Sequence, residues 1–463
     1  MQNLAVIILA AGKGKRMKST LPKVIMPIAG KSMIFYLVHN AQKLRASRIV
    51  IVVGHKEHLV RESAGSIKGV TFAVQKEQLG TGHAVLCAKR VLKNFSGSVM
   101  ILSGDVPLLS METLRQFVAL HRRRGATLSL MTAVFEKSHG YGRVIRDDSG
   151  RVWKIVEETD ATASEKAIKE INAGVYLVDA EFLFRALKNT LKDNKQGEYY
   201  LPHILNYAYS AGEKIFALPI QKHEEIRGVN TRLELAEADR IMRKRLIERY
   251  AMNGVTFLNP DSTYIDFDVR IKPDCIIYPN TFMLGNTTVG SGCIIEQGAT
   301  IINSHLGKNV RVKSYSVIRD SVIKSGAQIG PFAHLRPNST VGEDSRIGNF
   351  VELKNTVIGK NTKASHLSYL GDAEIGRNVN IGCGTITCNY DGFKKHKTSI
   401  ANGVFVGSDT QFVAPVKIGK NAYIGAGSTI TKDVSAGSLG ISRARQSNIP
   451  GFYKRFITRK GER

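Results

Sequence analysis

The first half of the chain alternates short apolar runs with amphipathic stretches. The runs at 6–11, 49–53, 70–74 and 99–103 are rich in Val and Ile and read as buried strands. The stretches at 32–44 and 111–123 carry apolar residues at helical spacing. Strand and helix in alternation predict an α/β domain with a parallel sheet covered on both faces, and such sheets bind ligands beyond the C-terminal ends of their strands. Past residue 125 the alternation loosens. Strands are expected near 127–134, 143–145 and 174–178, extending the sheet and walling a pocket.

The second half has a different period. From Ile271 an aliphatic residue recurs at every sixth position: Ile271, Ile277, Met283, Val289, Ile295, Ile301. The register slips by one and resumes at Leu306, Val312 and Ile318, then slips again and runs from Ile323 through Ile329, Leu335, Val341 and Ile347 to Leu353. Ile358, Ala364, Leu370, Ile375 and Ile381 follow. After an insertion of about a dozen residues, at 387–399, the series returns at Ile400 and runs through Val406, Phe412, Ile418 and Ile424 to Ile430. Glycine often follows the aliphatic residue, and a small residue often stands four places on. A sustained six-residue period predicts a parallel β-helix in which the aliphatic side chain fills the coil, the small residue fits beside it and glycine tolerates the turn. Between the halves, 231–250 lacks Gly and Pro and spaces Leu235, Ala238, Met242 and Leu246 as a linker helix. The domains expected are therefore 1–229, a helical linker at 230–250, and 251–463.

Composition narrows the class. With 463 residues, 43% hydrophobic and 23% charged, the chain is long enough for two or three domains and has the make-up of a globular protein. No apolar run approaches membrane-spanning length, and the early apolar stretch lacks the basic leader and cleavage site of a signal peptide. A cytoplasmic protein with no membrane partner is expected. Its five cysteines, Cys87, Cys275, Cys293, Cys383 and Cys388, form no metal-binding spacing and are expected to be reduced. Cys275 and Cys293 fall at the small inward position of their repeats and should be buried. Cys383 and Cys388 should lie near the outer surface. The net charge of +27 raises nucleic acid as a partner, but the basic residues are spread along the chain apart from a short tail at 454–463, without interleaved aromatics. A field suited to phosphorylated substrates is the reading preferred, with no nucleic-acid partner.

Chemistry-bearing residues cluster where the strands should end. Leu9-Ala10-Ala11-Gly12-Lys13-Gly14-Lys15-Arg16-Met17 closes the first strand in a glycine turn that can offer N–H groups to phosphate oxygens. It is neither a dinucleotide fingerprint nor a Walker A loop, and alone it reads equally as a plain bend. Leu21-Pro22-Lys23, the run from Gln75 to Thr81, and Gly104-Asp105-Val106-Pro107 follow, the last placing a carboxylate where a metal ion would meet phosphate. In the repeats, Arg336, Lys354, His366, Tyr369, Asn380, Asn389 and Tyr390 break the pattern with polar and aromatic side chains. A neutral imidazole such as that of His366 can take the proton of an amine attacking a thioester.

Together, Leu-Ala-Ala-Gly-x-Gly-x-Arg-Met, Pro-Lys, Gln-Leu-Gly-Thr-Gly-His and Gly-Asp-Val-Pro resemble the sugar-1-phosphate nucleotidyltransferase family. With Gly140-Tyr-Gly-Arg143, Glu170-Ile-Asn172, Gln196-Gly-Glu-Tyr-Tyr200 and Gly228-Val-Asn230, they resemble its bifunctional members over nearly the whole chain. The resemblance implies a Rossmann-like nucleotidyltransferase domain followed by a left-handed parallel β-helix. It implies acetyl transfer from acetyl-CoA to glucosamine-1-phosphate, then uridylyl transfer from UTP to N-acetylglucosamine-1-phosphate, giving UDP-N-acetylglucosamine for cell-wall synthesis. Leu9, Ala10, Ala11 and Gly12, with Gln75, Gly80, Thr81, Ser103 and Gly104, would hold the nucleotide. Arg16 and Lys23 would neutralise the triphosphate, Asp105 and Asn230 would hold Mg²⁺, and Gly142, Glu157 and Asn172 would hold the sugar. His366 would be the general base of acetyl transfer. Arg336, Lys354, Tyr369 and Asn380 would bind the sugar phosphate, and Cys383, Asn389, Tyr390, Ser408, Ala426 and Arg443 would line the acetyl-CoA site. Cys383 departs from the alanine usual at its position. A homotrimer with sites between neighbouring β-helices is implied as well. Three readings remain beside this one: a single-activity nucleotidyltransferase with a structural β-helix, the same two activities on another sugar or nucleotide, and a scaffold that binds nucleic acid.

Overall fold

The computed structural model describes residues 3–65, 67–136, 140–189 and 197–461. It divides into two compact units, Met1–Met242 and Arg243–Arg463, with the boundary inside the helix Arg232–Ala251.

In the first unit, strands Ser98–Ser103, Leu4–Leu9, Arg48–Val53 and Val70–Val74 lie side by side in parallel. Alternation along Leu4–Leu9 decides the layering. Leu4, Val6 and Ile8 enter one apolar core and Ala5 and Ile7 another, so the sheet is buried on both faces. The strand ends at Leu9, and Ala10 and Ala11 already belong to the turn. The sheet is mixed rather than wholly parallel. Glu170–Asp179 runs antiparallel between Ser98–Ser103 and Leu128–Val134. The physical reason is the connection from Leu128–Val134, whose described residues carry the hairpin Arg143–Arg146/Val152–Val156 and one four-residue helix in place of the long covering helix that a parallel return needs. Helices Met33–Lys43 and Met111–Arg124 form as expected from their spacing.

The second unit is a left-handed parallel β-helix. Every aliphatic residue of the hexapeptide series, from Ile271 to Ile430, is buried in one continuous core. Successive coils stack in parallel, with a residue meeting its partner 18 positions on, or 17 where a five-residue side occurs. The turns are made by the residue about three places after the aliphatic one. Asp274, Asn280, Asn309, Asn338, Asp344, Asn361, Asn378 and Asn421 all stand there in the left-handed region, which Asn and Asp tolerate better than other side chains. The glycine directly after the aliphatic residue has another cause than the turn expected of it. A Cβ at Gly342 would lie 2.6 Å from the carbonyl carbon of Gly359, and one at Gly359 would lie 2.5 Å from that of Gly376. Glycine stands there because coil touches coil.

The insertion is shorter than the sequence pattern suggests. Thr387 is fully buried and keeps the inward place within the strand Ile386–Cys388, so the extra residues lie between it and Thr398–Ile400. The coil there spans 25 positions instead of 17 or 18. Cys275 and Cys293 are buried, Cys383 is exposed and Cys388 half-buried, as their register positions imply.

Candidate functional site

The C-terminal ends of the parallel strands carry a pocket of about 280 Å³ lined by Leu9, Ala10, Ala11, Gly12, Lys23, Gln75, Gly80, Thr81, Ser103, Gly104 and Asp105. Glycine is forced at two of these positions. A Cβ at Gly104 would lie 2.5 Å from the Leu9 carbonyl oxygen. Gly80 has φ +102°, and a Cβ there would lie 2.7 Å from the Tyr199 carbonyl oxygen. Gln75, almost fully buried, donates to the Gly80 carbonyl (3.0 Å) and fixes that turn.

At the mouth of the pocket the Lys23 ammonium donates to the Asp105 carboxylate (2.6 Å) and the Asn230 amide oxygen (2.8 Å), while Arg16 donates to the same Asn230 oxygen (3.0 Å). Two oxygens from different segments thus face one point now shared by cations. That donor set fits a hard divalent ion of the Mg²⁺ type, which takes one or two protein oxygens and completes its shell with phosphate and water. Among the described residues no group of three or more His, Cys, Asp or Glu could hold a metal by itself.

Gly142, Glu157 and Asn172 sit together beside Ser103. Asn172 donates its backbone N–H to the Gly142 carbonyl (2.9 Å) and its side-chain amide to the Tyr176 hydroxyl (2.7 Å). A Cβ at Gly142 would stand 3.4 Å from a Glu157 oxygen, and one at Gly174 would stand 3.2 Å from Ser103 Oγ. Pairing of Glu170–Asp179 with Leu128–Val134 shifts register between Asn172 and Tyr176, a bulge that re-aims this segment. Burial, and then the nearby Asp160, push the Glu157 carboxyl above its ordinary pKa.

Val24, Gln78, Ala84 and Glu198 also line the pocket and were not singled out as site residues. Glu198 was legible as part of the Gln196-Gly-Glu-Tyr-Tyr200 motif, whose Gln196 lies outside the described residues, as does the Lys15 side chain.

The β-helix builds its site from columns. Asn349, His366, Cys383, Ser408 and Ala426 each stand two places after an inward residue, on successive coils, and Arg443 caps the column by donating to the Ala426 carbonyl (2.8 Å). At about 4.8 Å per coil this column runs roughly 24 Å. His366 is exposed, and its Nδ1 lies 3.0 Å from Asn349 Oδ1. Donation from Nδ1–H to that oxygen leaves the Nε2 lone pair facing outward. Asn349 was not anticipated, yet the coil length points to it, because it precedes His366 by 17 residues.

A polar cluster adjoins the column. Arg336 pairs with Glu352 (2.8 Å) and Lys354 with Asp372 (3.2 Å). Asn389 donates to Asp372 (2.5 Å) and lies within 3.4 Å of the Tyr369 hydroxyl. Burial raises the Asp372 carboxyl, but hydrogen bonds from Asn355, Lys354 and Asn389 outweigh it and hold its pKa below the usual range. Lys395, on the inserted segment, is held below the ordinary lysine value by its hydrogen-bond contact and like charge with Lys354. Two ammonium groups so close favour an anion beside them. Asn380 is half-buried on the strand paired with Lys363–Gly371, and Tyr390 is exposed at the start of the insertion. Neither makes a side-chain contact with the cluster among the hydrogen bonds of the described residues.

Known proteins match this architecture piece by piece. The nucleotidyl transferase family matches residues 5–223, the GMPPB C-terminal domain 260–336, and the bacterial transferase hexapeptide family (six repeats) 320–355 and 397–432. Proteins called "Bifunctional protein GlmU" from Pelobacter propionicus (50% identical), Geobacter sulfurreducens (52%) and Clostridium botulinum (46%) each align with 98% of this chain, over 98% of their own length. The chain belongs to the bifunctional GlmU family and is a two-activity transferase that makes UDP-N-acetylglucosamine, with a nucleotidyltransferase in its first half and a hexapeptide-repeat acyltransferase in its second.

Proposed function

We propose that the two centres divide the synthesis by residue as follows. In the first unit UTP lies over Leu9, Ala10, Ala11 and Gly12 with its base against Gln75, Gly80 and Thr81. The phosphates reach Ser103, Gly104 and the Lys23–Asp105–Asn230 point. N-acetylglucosamine-1-phosphate is held at Gly142, Glu157 and Asn172. Its phosphate oxygen attacks the α-phosphorus in line and pyrophosphate leaves, so one P–O bond forms as another breaks. Arg16 and Lys23 take up the charge that develops on the leaving group, and such transfers need positioning and neutralisation rather than a protein nucleophile. Asp105 and Asn230 would hold Mg²⁺, which supplies further charge stabilisation on the phosphates when bound. The observation that carries this reading is the convergence of Lys23, Asp105, Asn230 and Arg16 within 3.0 Å of shared oxygens.

In the second unit the amine of glucosamine-1-phosphate attacks the thioester carbonyl of acetyl-CoA. His366 Nε2 takes the amine proton, and the CoA thiol leaves as the amide forms. Arg336, Lys354, Tyr369 and Asn380 would hold the sugar phosphate, which relieves the crowding of Lys354 and Lys395. Cys383, Asn389, Tyr390, Ser408, Ala426 and Arg443 would run along the acetyl-CoA. The long column supports this, because it matches an extended donor better than a compact one. At Cys383 a backbone contact tolerates the thiol.

The chain would work as a homotrimer in the cytoplasm. Tyr315, Phe332 and Phe350 are exposed, stack at 5.5 and 5.4 Å, and hold left-handed backbone that bulky residues avoid. With exposed Leu367 they lead along the helix to His366, a surface that a second copy would cover. No helix among the described residues is long and apolar enough to cross a membrane. Sedimentation of the pure protein tests the trimer. A mass of one chain, with both activities present, removes the shared-site reading.

A further inference from the structure

Besides the nucleotide pocket, the described residues of the first unit line a second, larger cavity. It measures about 990 Å³ against about 280 Å³ and lies at the opposite ends of the central strands, beside Gly97 and Asp179 rather than Leu9 and Ser103. Its floor is apolar, with Leu92, Phe95 and Phe184. Lys89, Arg90 and Lys93 stand exposed at its rim on one short segment. Its two carboxylates already have partners, Glu181 in Arg185 of the same cavity. Asp179 caps the helix Ala180–Lys188 by accepting from the N–H groups of Glu181 and Phe182, and Glu181 pairs with Arg185 at 3.6 Å. No ion pair involves Lys89, Arg90 or Lys93 among the described residues. A volume of this size with an apolar floor and a cationic rim suits an amphipathic anion, meaning an acidic group on a ring-sized apolar body.

One helix touches both cavities. Thr81 and Ala84 of Thr81–Cys87 line the nucleotide pocket, and Leu86 and Cys87 line the larger cavity. Between them runs a side-chain relay. Gln75 Nε2 lies 3.2 Å from His83 Nδ1, and His83 Nε2 lies 3.9 Å from Cys87 Sγ. Donation from Gln75 to Nδ1 places the ring proton on Nε2, facing the sulfur. We infer that this cavity is an effector site for amphipathic anions, and that its occupant weakens UTP binding through Cys87, His83 and Gln75. A group seated against Leu86 and Cys87 displaces the far end of a seven-residue helix whose first turn forms the nucleotide pocket. The two ligands then oppose each other by the same factor in both directions.

The probe is 8-anilinonaphthalene-1-sulfonate, added to the full chain after its uridylyl transfer has been measured alone. Failure of that activity is thereby separated from failure of the linkage. The dye should slow alkylation of Cys87, followed by peptide mapping, and leave that of Cys383 unchanged. It should weaken UTP binding by about fivefold, the lower end of ordinary couplings, with a rise in KM for UTP, and UTP should raise the Kd of the dye by the same factor as its own Kd rises. A Lys89→Glu/Lys93→Glu variant should keep dye-free uridylyl transfer while losing both the protection and the KM effect. Unprotected Cys87, an unchanged KM despite protection, or an undiminished effect in the double variant each overturns the assignment.

Discussion

In the first unit, Lys23 meets Asp105 and Asn230 across 82 and 207 residues of chain, because three separate loops end at the same edge of a sheet. In the second, Asn349 and His366 meet because the chain repeats, and the partner stands one coil away, with Cys383 at the same place one coil further on. The first site depends on topology: each residue is set by a different strand end, and no short window of sequence contains the geometry. The second depends on phase, since a residue's place in its hexapeptide fixes both its column and its neighbours. The candidate site residues therefore stand at breaks in the alternating pattern in one unit and at departures from a regular period in the other.

The largest effects should separate the units cleanly. His366→Ala should lower acetyl transfer by about 10²–10⁴-fold, the scale of a lost general base, and leave uridylyl transfer unchanged. Wild-type turnover at saturating substrate would remove His366 from the chemistry. Asp105→Ala should cost uridylyl transfer on the order of 10²–10³-fold, with acetyl transfer intact. If both rates fall together, the centres are not independent. Asn349→Ala should act through the orientation of His366, lowering acetyl transfer by roughly 10-fold and altering its pH–rate profile. An unaltered profile with the same loss points to a role in packing alone.

Stability should respond to the same contrast. Gly342→Ala drives a Cβ into the next coil and should destabilise by about 1–3 kcal/mol in denaturant titration. Gly65→Ala, at a helix end in the first unit with nothing within 4 Å, should be neutral or stabilise by less than about 1 kcal/mol. Equal costs would contradict close coil contact as the reason for glycine. The smallest effect concerns Glu157. Burial raises its folded-state pKa, so the folded protein binds that proton more tightly than the unfolded chain. Its contribution to stability therefore declines as pH rises from the unfolded value, about 4.3, through the folded one. Glu157→Gln should remove that decline, so the variant's melting temperature should gain on wild type between pH 4 and pH 7.5, even as its affinity for N-acetylglucosamine-1-phosphate falls.

The β-helix was almost wholly legible in the sequence, because one inward residue per six is a local rule repeated many times. Two details were not. Thr387 hides the true length of the insertion, since a buried threonine satisfied inside the coil looks like a break in an aliphatic series. The glycine that often directly follows the aliphatic residue looks like a turn signal, while the turns belong to the residue three places on, most often Asn, Asp or another Gly. In the first unit the strands were legible from Val and Ile runs, but the antiparallel direction of Glu170–Asp179 was not, because direction depends on what the connection covers. The pocket was legible where residues sit in motifs, as at Gly104-Asp105. Val24 and Ala84, which give it apolar walls, carry no local mark.

The most direct test feeds the full chain glucosamine-1-phosphate, acetyl-CoA, UTP and Mg²⁺ and reads products by mass. Wild type should yield UDP-N-acetylglucosamine, pyrophosphate and free CoA. Asp105→Ala should stop at N-acetylglucosamine-1-phosphate. His366→Ala should form acetylated sugar at no more than about a hundredth of the wild-type rate, yet should make the nucleotide sugar at the wild-type rate when N-acetylglucosamine-1-phosphate is supplied. Wild type that forms a UDP-sugar without ever acetylating the amine, or an Asp105→Ala variant that loses acetyl transfer as well, would contradict the account of two separate centres on one chain.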